Sequence, residues 1–408
     1  MRDSWTEVGI SDLLEVSIGG VWGGDPGTDE IDVCVYRQTE FDDNGTLSMP
    51  SDAVRSITKN QLKSRTLQPG DVLMQKSAGT PTLPGRVVIV PSEIERNATC
   101  SNFLHLLRAD STICDSHFLF WFLWFNHQSG RAFEFQRGTN IKNLDLNQYL
   151  AQQVLLPPLG EQKRIVDVVS SVDVYIDALQ QRAETSRTAR NAVLHELLSA
   201  GGDDWTETTL GEVVVINPEA ARGMADDDEI VYVDLSSVSA ESGISSDLYR
   251  GSFGEAPGRA RRVIRTQDVL VSTVRPYLRG FALVPDFLDG EIASTGFAVL
   301  RAKPSRILPG LVWAIVGTNN FVDYLMDRAT GSSYPAVRPD DVASFNFSLP
   351  PLVEQKRIVD IVSSMGDVIQ LTEQAITDAK ILRSGLLSDL LSGEHEIPAS
   401  YDSLVGAA

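Results

Sequence analysis

Two stretches place together residue types that could act on nucleic acid. Pro339-Asp340, followed by Glu354-Gln355-Lys356, matches the loose PD…ExK pattern, in which carboxylates hold a divalent metal and a lysine assists phosphodiester hydrolysis. A second Glu-x-Lys triplet, Glu161 to Lys163, has Asn147 where the other has Asp340, and both triplets open helices, whereas that chemistry usually sets the triplet on a strand. Asn217-Pro218-Glu219 begins like the adenine methyltransferase motif NPP[YF] but lacks the second proline and the aromatic ring that would stack on a flipped base. No glycine-rich methyl-donor loop and no GxxxxGK[ST] phosphate loop stands in the chain. The five histidines (105, 117, 127, 195 and 395) are scattered, and Cys114-x-x-His117 has no second pair to complete a metal site. The sequence therefore predicts no catalytic residue and no metal ligand. Cys34, Cys100 and Cys114 are an odd number without paired spacing, which argues against a disulfide framework and for a reducing compartment.

What remains is recognition chemistry. The chain carries 35 Lys plus Arg against 55 Asp plus Glu, a formal charge of -20, which argues against indiscriminate binding to nucleic acid. The acid is unevenly spread. Residues 51–108 carry eight basic and four acidic side chains, and 250–306 carry ten and five. The first segment supplies Lys59, Lys63, Arg65, Lys76 and Arg86; the second supplies Arg259, Arg261, Arg262, Arg265, Arg275 and Arg279, with Tyr277 interleaved. Arginine suits bidentate contacts with guanine and phosphate. Two loops, Arg137-Gly138-Thr139-Asn140-Ile141-Lys142 and Gly331-Ser332-Ser333-Tyr334, combine a glycine with small hydroxyl and amide groups suited to base-edge or backbone contacts. Solvated strand faces and ordinary turns are the competing readings of these same residues.

The elements that must position them emerge from self-comparison. PPLGEQKRIVD at 157–167 recurs as PPLVEQKRIVD at 350–360, ten identities in eleven positions at an offset of 193. Arg108-Ala109 and Arg301-Ala302 keep that offset, whereas Asp71-Val72-Leu73 matches Asp268-Val269-Leu270 at 197 and Trp5-Thr6-Glu7 matches Trp205-Thr206-Glu207 at 200. The chain thus reads as variable and repeated blocks in alternation: 1–156, 157–200, 201–349 and 350–395, with a tail at 396–408.

Each repeated block opens with Pro-Pro, a preset for a helix start, and places Glu161 or Glu354 in the first turn, where the helix dipole favours a carboxylate. Ile165, Val168, Val172, Tyr175 and Leu179 advance by threes and fours, as do Ile358, Ile361, Met365 and Val368, continued by Ala375, Ala379, Leu382, Leu386 and Leu390. Helices of about ten turns are predicted, stopped by Gly201-Gly202 and Gly393. Such a long helix with one apolar stripe needs a partner, so the two repeats are expected to pack as an antiparallel coiled-coil pair, with like-helix pairing in a homodimer as the alternative. The variable blocks hold short β-rich runs (86–90, 212–216, 230–233 and 269–273) and one helical stretch each (116–126 and 310–325), predicting α+β domains. The fold expected is α+β, two tandem α/β domains separated by long repeated helices, pseudo-two-fold overall.

Length and composition agree: 408 residues suggest more than one domain, and 42% hydrophobic with 22% charged residues is the balance of a globular chain. The most apolar run, 118–125, is far short of the roughly 20 residues needed to span a membrane. No secretory signal is read at the start, and a cytoplasmic protein without a membrane partner is expected.

The duplicated LPPLxEQKRIVD opening, the helix endings LHELLSAG (194–201) and LSDLLSGE (387–394), the block opening WTETTLGEVV (205–214) and the block alternation together resemble the specificity subunit of type I restriction-modification enzymes. The resemblance covers almost the whole chain. It departs in the first block, which lacks the counterpart of Gly211, and in Ser332-Ser333-Tyr334-Pro335, which replaces Thr139-Asn140-Ile141-Lys142. The resemblance implies that each variable block is a target recognition domain reading one half of a bipartite, asymmetric double-stranded DNA site. It implies that the helices space these domains and dock two modification subunits, with Glu161, Gln162, Lys163, Arg164, Glu354, Gln355, Lys356 and Arg357 as docking candidates. S-adenosylmethionine would be held by those partners, as would ATP with Mg by two restriction subunits where the system cuts, and this chain would hold no cofactor and catalyse nothing. The alternative function is a helical scaffold whose domains bind protein, supported by the pI of about 4.6.

Overall fold

The computed structural model describes residues 4–42, 44–95, 97–239 and 243–405. The chain divides into two compact units, residues 1–179 with 375–408 and residues 180–374. Two long helices, Leu159–Ser199 and Leu352–Leu391, run through this division, so each unit contains half of each.

Each unit is built on the same plan. In the first, Thr6–Gly9 pairs antiparallel with Gln153–Leu156, closing the domain immediately before Pro157-Pro158. In the second, Thr206–Thr209 pairs with Asn346–Leu349 before Pro350-Pro351. The central antiparallel sheet of the first has the order Leu14–Gly19, Leu104–Ala109, Val72–Gln75, Val87–Ile89; that of the second, Val214–Ile216, Phe297–Ala302, Val269–Ser272, Phe281–Leu283. A further sheet in each contains one parallel pair, Ile31–Tyr36 with Ala98–Cys100 and Glu229–Val233 with Ile292–Ser294.

Local sequence explains where expected elements shift. The 212–216 run is a strand only from Val214, because Glu212 accepts from the Thr208 hydroxyl at 2.6 Å and winds Leu210–Val213 into one helical turn. The 310–325 stretch is two helices, Pro309–Val316 and Asn319–Met326, since the Thr318 hydroxyl caps the second by accepting from the Phe321 amide at 3.2 Å. The 116–126 stretch is one helix, Ser116–Gln128, started by Asp115, whose side chain accepts from the amides of His117 and Phe118. Every side chain of this helix from Phe118 to Trp124 is buried, which its all-round apolar sequence requires.

The long helices pack antiparallel inside each unit. In the second unit Leu194 and Ile358 share one core, while earlier on the first helix and later on the second Arg187 pairs with Glu373. In the first unit Ile165 and Val169 share a core with Leu387 and Leu390, and Asp173 pairs with Arg383. The apolar seam is thus covered within the chain, without a second copy. It lies beside the predicted one: Val169 and Ile176 are buried where Val168 is only half-buried and Tyr175 exposed, and Ile369 and Arg383 are buried where Val368 and Leu382 are exposed. The buried series 165, 169, 176, 179, 183 and the predicted series 165, 168, 172, 175, 179 both keep heptad spacing, so periodicity alone did not distinguish two adjacent stripes.

Candidate nucleic-acid interface

In the first domain, the helix Lys59–Arg65 is capped by Thr58, which accepts from the Gln61 amide at 3.1 Å, and presents Lys59 and Lys63 to solvent. From its end Arg65 reaches back, Nε donating to the Gly19 carbonyl at 2.9 Å. Lys76 converges on the same strand end: a Cβ built on Gly19 would lie 3.3 Å from the Lys76 ammonium. Opposite Gly19 in register stands His105, Nε2 3.0 Å from the Ser17 hydroxyl. Burial, and secondarily the Lys76 charge, push its pKa down to about 4, so the ring is neutral at physiological pH with a cation near it. Arg86 is half-buried, donating to the Phe41 carbonyl at 2.9 Å with its guanidinium over the Phe41 ring, and belongs to the framework.

A three-stranded tongue projects from this domain, ordered Gln136–Arg137, Lys142–Leu144, Ser77–Ala78. The Ser77 hydroxyl donates to Asn143 Oδ1 at 2.6 Å, Lys142 Nζ donates to the Gly138 carbonyl at 2.7 Å and Arg137 pairs with Asp145 at 3.0 Å. Thr139, Asn140 and Ile141 at its turn are exposed.

In the second domain, Arg259 and Arg261 are exposed, the latter over the Phe253 ring at 5.1 Å. Arg262 is half-buried, its Nε lacks a hydrogen-bond partner, and burial lowers its pKa. Arg265 is claimed by Glu219 at 2.8 Å and faces Asp289 at 3.8 Å. Hydrogen bonds from Arg265 and Arg301 hold the Glu219 pKa down at about 2. Arg265 is therefore a framework residue like Arg86. Arg275 lies over the Tyr334 ring at 4.3 Å, and Arg279 Nη1 donates to the Gly317 carbonyl at 2.9 Å. Tyr277, Ser332, Ser333 and Tyr334 are exposed around them.

The docking candidates divide sharply, and three are corrected. Gln162 is fully buried: its Oε1 accepts from the Asp115 amide at 2.8 Å, and its Nε2 donates to the carbonyls of Ile113 at 2.9 Å and Pro157 at 2.8 Å. Gln355 repeats this arrangement with the Leu308 amide and the carbonyls of Arg306 and Pro350, each at 2.9 Å. Glu161 is also buried and accepts from Trp5 Nε1 at 3.0 Å. These three face the chain's own domains and cannot meet a partner; a polar residue in a first helical turn reads as solvent-facing until the distant loop that covers it is placed. Arg164 is turned to the tail, donating to the Ile397 carbonyl at 2.9 Å. Lys163, Lys356 and Arg357 are exposed and Glu354 is half-buried.

Sequence reasoning missed Arg108 and Arg301 as framework cations, although it noted both as repeated. Arg108 binds Asp71, and Arg301 binds Asp268. Among the described residues no group of three or more His, Cys, Asp or Glu could hold a metal ion. The Pro339-Asp340 pair opens a short helix, Pro339–Ala343, and Glu354 lies in the first turn of a long one beside Arg357, so neither part of the nuclease-like pattern is on a strand.

Two domains on one plan, each carrying exposed basic side chains and bonded to a long helix, describe a recognition module more than an active site. The family model described as type I restriction modification DNA specificity domain matches residues 3–185 and 286–380, and the chain belongs to that family. Among its relatives, the putative type I restriction enzyme MjaX specificity subunit of Methanocaldococcus jannaschii is 21% identical over 412 residues, covering 96% of this chain and 94% of that one. The type I restriction enzyme HindI specificity subunit of Haemophilus influenzae is 24% identical over 173 residues, 42% of this chain but only 37% of its own length. A chain from a solved structure concerned with complex assembly and conformational transition of the type I R-M system aligns over 97% of this chain and 99% of its own, with 19% identity and a TM-score of 0.58. That likeness establishes the shared fold. No helix among the described residues is long and apolar enough to cross a membrane.

Proposed function

We propose that this chain is the sequence-reading subunit of a type I restriction-modification complex, each domain reading one half of a bipartite, asymmetric double-stranded DNA site. The long helices set the gap between half-sites and dock two modification subunits, through Lys163, Lys356 and Arg357 among other exposed positions. The chain is not itself catalytic and works in the cytoplasm; S-adenosylmethionine belongs to the modification subunits, and ATP with Mg to restriction subunits where these join. Contacts with DNA, to phosphates and to base edges, fall to the exposed candidates Lys59, Lys63, Arg137, Thr139, Asn140, Arg259, Arg261, Tyr277, Ser332, Ser333 and Tyr334, with Lys63 and Arg261 on phosphates and with Arg65, Lys76, Lys142, Arg262, Arg275 and Arg279 at their edges.

One observation carries this reading. The same internal joints, Gln162 and Gln355 on the helices, are repeated in both units, while the exposed residues around the two basic segments differ. A duplicated mount with unlike faces suits a protein that must present two different readers at a fixed separation, because half-site spacing follows from architecture and base choice from side chains. The test is methylation-sensitive long-read sequencing of DNA from cells carrying this chain with its modification subunit, against cells lacking only this chain. A bipartite methyladenine motif that disappears with the chain is expected. An active, assembled complex whose methylation pattern is indifferent to this chain overturns the reading.

A further inference from the structure

We infer that Leu278, with Tyr277 and Tyr334, forms a braced apolar tip by which the second domain reads thymine methyl groups in its half-site. The inference rests on the DNA-reading function proposed above. Pro276–Leu278 is a single 3-10 turn flanked on both sides by arginines in the left-handed region, Arg275 at φ 50° and Arg279 at φ 51°. Side-chain-bearing residues avoid that region, and two of them around one turn persist only where the surroundings hold them.

The surroundings here do so. The Arg275 amide donates to the Pro335 carbonyl at 2.7 Å, the amides of Leu278 and Arg279 close the turn at 2.9 Å, and the Arg279 side chain is tied to the Gly317 carbonyl and to Asn319. What this bracing displays is apolar: Tyr277 is 48% exposed, Leu278 56% and Tyr334 66%. A rigid turn that holds large apolar groups out of the core presents a contact surface. The two arginines set among them make a polyanion the fitting occupant, since the cation over Tyr334 would face phosphates while the apolar groups reach base edges. In the major groove the apolar feature available is the C5-methyl of thymine.

The first domain has one counterpart and lacks the other. Gly138 and Gly331 share φ 99°, and in each turn the space a side chain would occupy is filled by the carbonyl of the third residue onward, that of Ile141 or Tyr334. Ile141, 57% exposed, therefore stands where Tyr334 stands. Where the second domain has its braced turn, the first has Gly79-Thr80-Pro81 at the offset of 197, just after the tongue strand Ser77–Ala78, and no large apolar side chain there. The two half-sites are accordingly read by different chemistry, an apolar tip with two elements in the second domain and one in the first.

The experiment uses the complex with its modification subunits and compares wild type with Leu278→Ala, Tyr334→Ala and Ile141→Ala, reading the methyladenine motif by sequencing and assembly by size. Leu278→Ala and Tyr334→Ala are expected to relax one half of the motif by about tenfold in discrimination, the scale of a lost methyl contact, with assembly unchanged. Ile141→Ala should relax the other half. Deoxyuridine in place of thymine in the second half should reproduce the Leu278→Ala defect in wild type and add nothing to it in the variant. A wild-type motif that persists intact in Leu278→Ala, loosens in both halves, or is insensitive to deoxyuridine overturns this inference alone. A wild-type complex with no motif overturns the DNA-reading function and this inference with it.

Discussion

Arg108 holds the buried Asp71 carboxylate by two parallel hydrogen bonds, Nε to Oδ1 at 2.7 Å and Nη2 to Oδ2 at 2.8 Å. Asp71 Oδ2 also accepts from the Gln68 amide at 2.7 Å, so one acid ties a turn to the neighbouring strand. The second domain repeats the motif: Arg301 grips Asp268 at 2.8 Å through both bonds, and Asp268 accepts from the Arg265 amide at 2.9 Å.

Removing the cation would leave a nearly inaccessible carboxylate with one backbone hydrogen bond and no countercharge. Arg301→Met is expected to destabilise the protein by about 3–5 kcal/mol, the cost of breaking a buried pair from one side. Urea unfolding measures it, and the double variant Asp268→Leu with Arg301→Leu should lose much less. A double variant as unstable as the single would show that the pair is not what matters.

The two buried glutamines make a sharper prediction, because only an amide can accept once and donate twice at those sites. Gln355→Leu and Gln355→Glu should both cost about 2–3 kcal/mol through stranded backbone groups. Hydrogen exchange at the Leu308 amide should quicken in Gln355→Leu, which removes its acceptor, and less in Gln355→Glu, which keeps an acceptor there and loses only the donor to the Arg306 and Pro350 carbonyls.

His105 supplies a pH dependence. Its folded pKa of about 4 lies below the ordinary value near 6.5, so the unfolded chain binds a proton that the folded chain refuses. Stability is therefore complete above about 6.5 and is lost as pH falls towards about 4. Thermal unfolding between pH 7 and 4.5 should fall less steeply in His105→Asn, and Lys76→Met should raise the ring's pKa in an NMR titration.

Arg383 occupies an apolar seam position of the second long helix, paired with Asp173 and over the Trp121 and Trp124 rings at 5.5 and 4.6 Å. Burial raises the Asp173 pKa in spite of that cation. Arg383→Met should cost about 2–3 kcal/mol, and adding Asp173→Asn should recover most of it, as a double-variant unfolding cycle will show.

Phosphate and base contacts should separate experimentally. Lys63→Ala and Arg261→Ala are each expected to lower the slope of log affinity against log salt by about 1 while leaving the methylated motif unchanged. The isolated chain, at a net charge of -20, should bind DNA weakly; tight binding that is insensitive to salt would contradict the reading.

The architecture was largely legible because duplication writes it twice: the 193-residue offset located both long helices and the Pro-Pro steps marked their starts, whereas the strands Gln153–Leu156 and Asn346–Leu349 that close each domain just before them went unread. The repeated Asp71 and Arg108 were visible as letters but not as a pair, since only the sheet brings strands 37 positions apart into contact. Leu278 and Ile141 escaped notice for the opposite reason. An apolar residue in a sequence reads as core, and its exposure is decided by the backbone that holds it outward.

The bonds made by Gln162 and Gln355 all end on main-chain atoms. Such a fastening asks only that a loop follow a given path and is indifferent to which residues compose it. A lineage that exchanged one reading domain for another would keep these bonds wherever the loop path is kept. Only the side-chain contacts beside them, such as Trp5 with Glu161 and Arg383 over Trp121 and Trp124, would have to be matched anew.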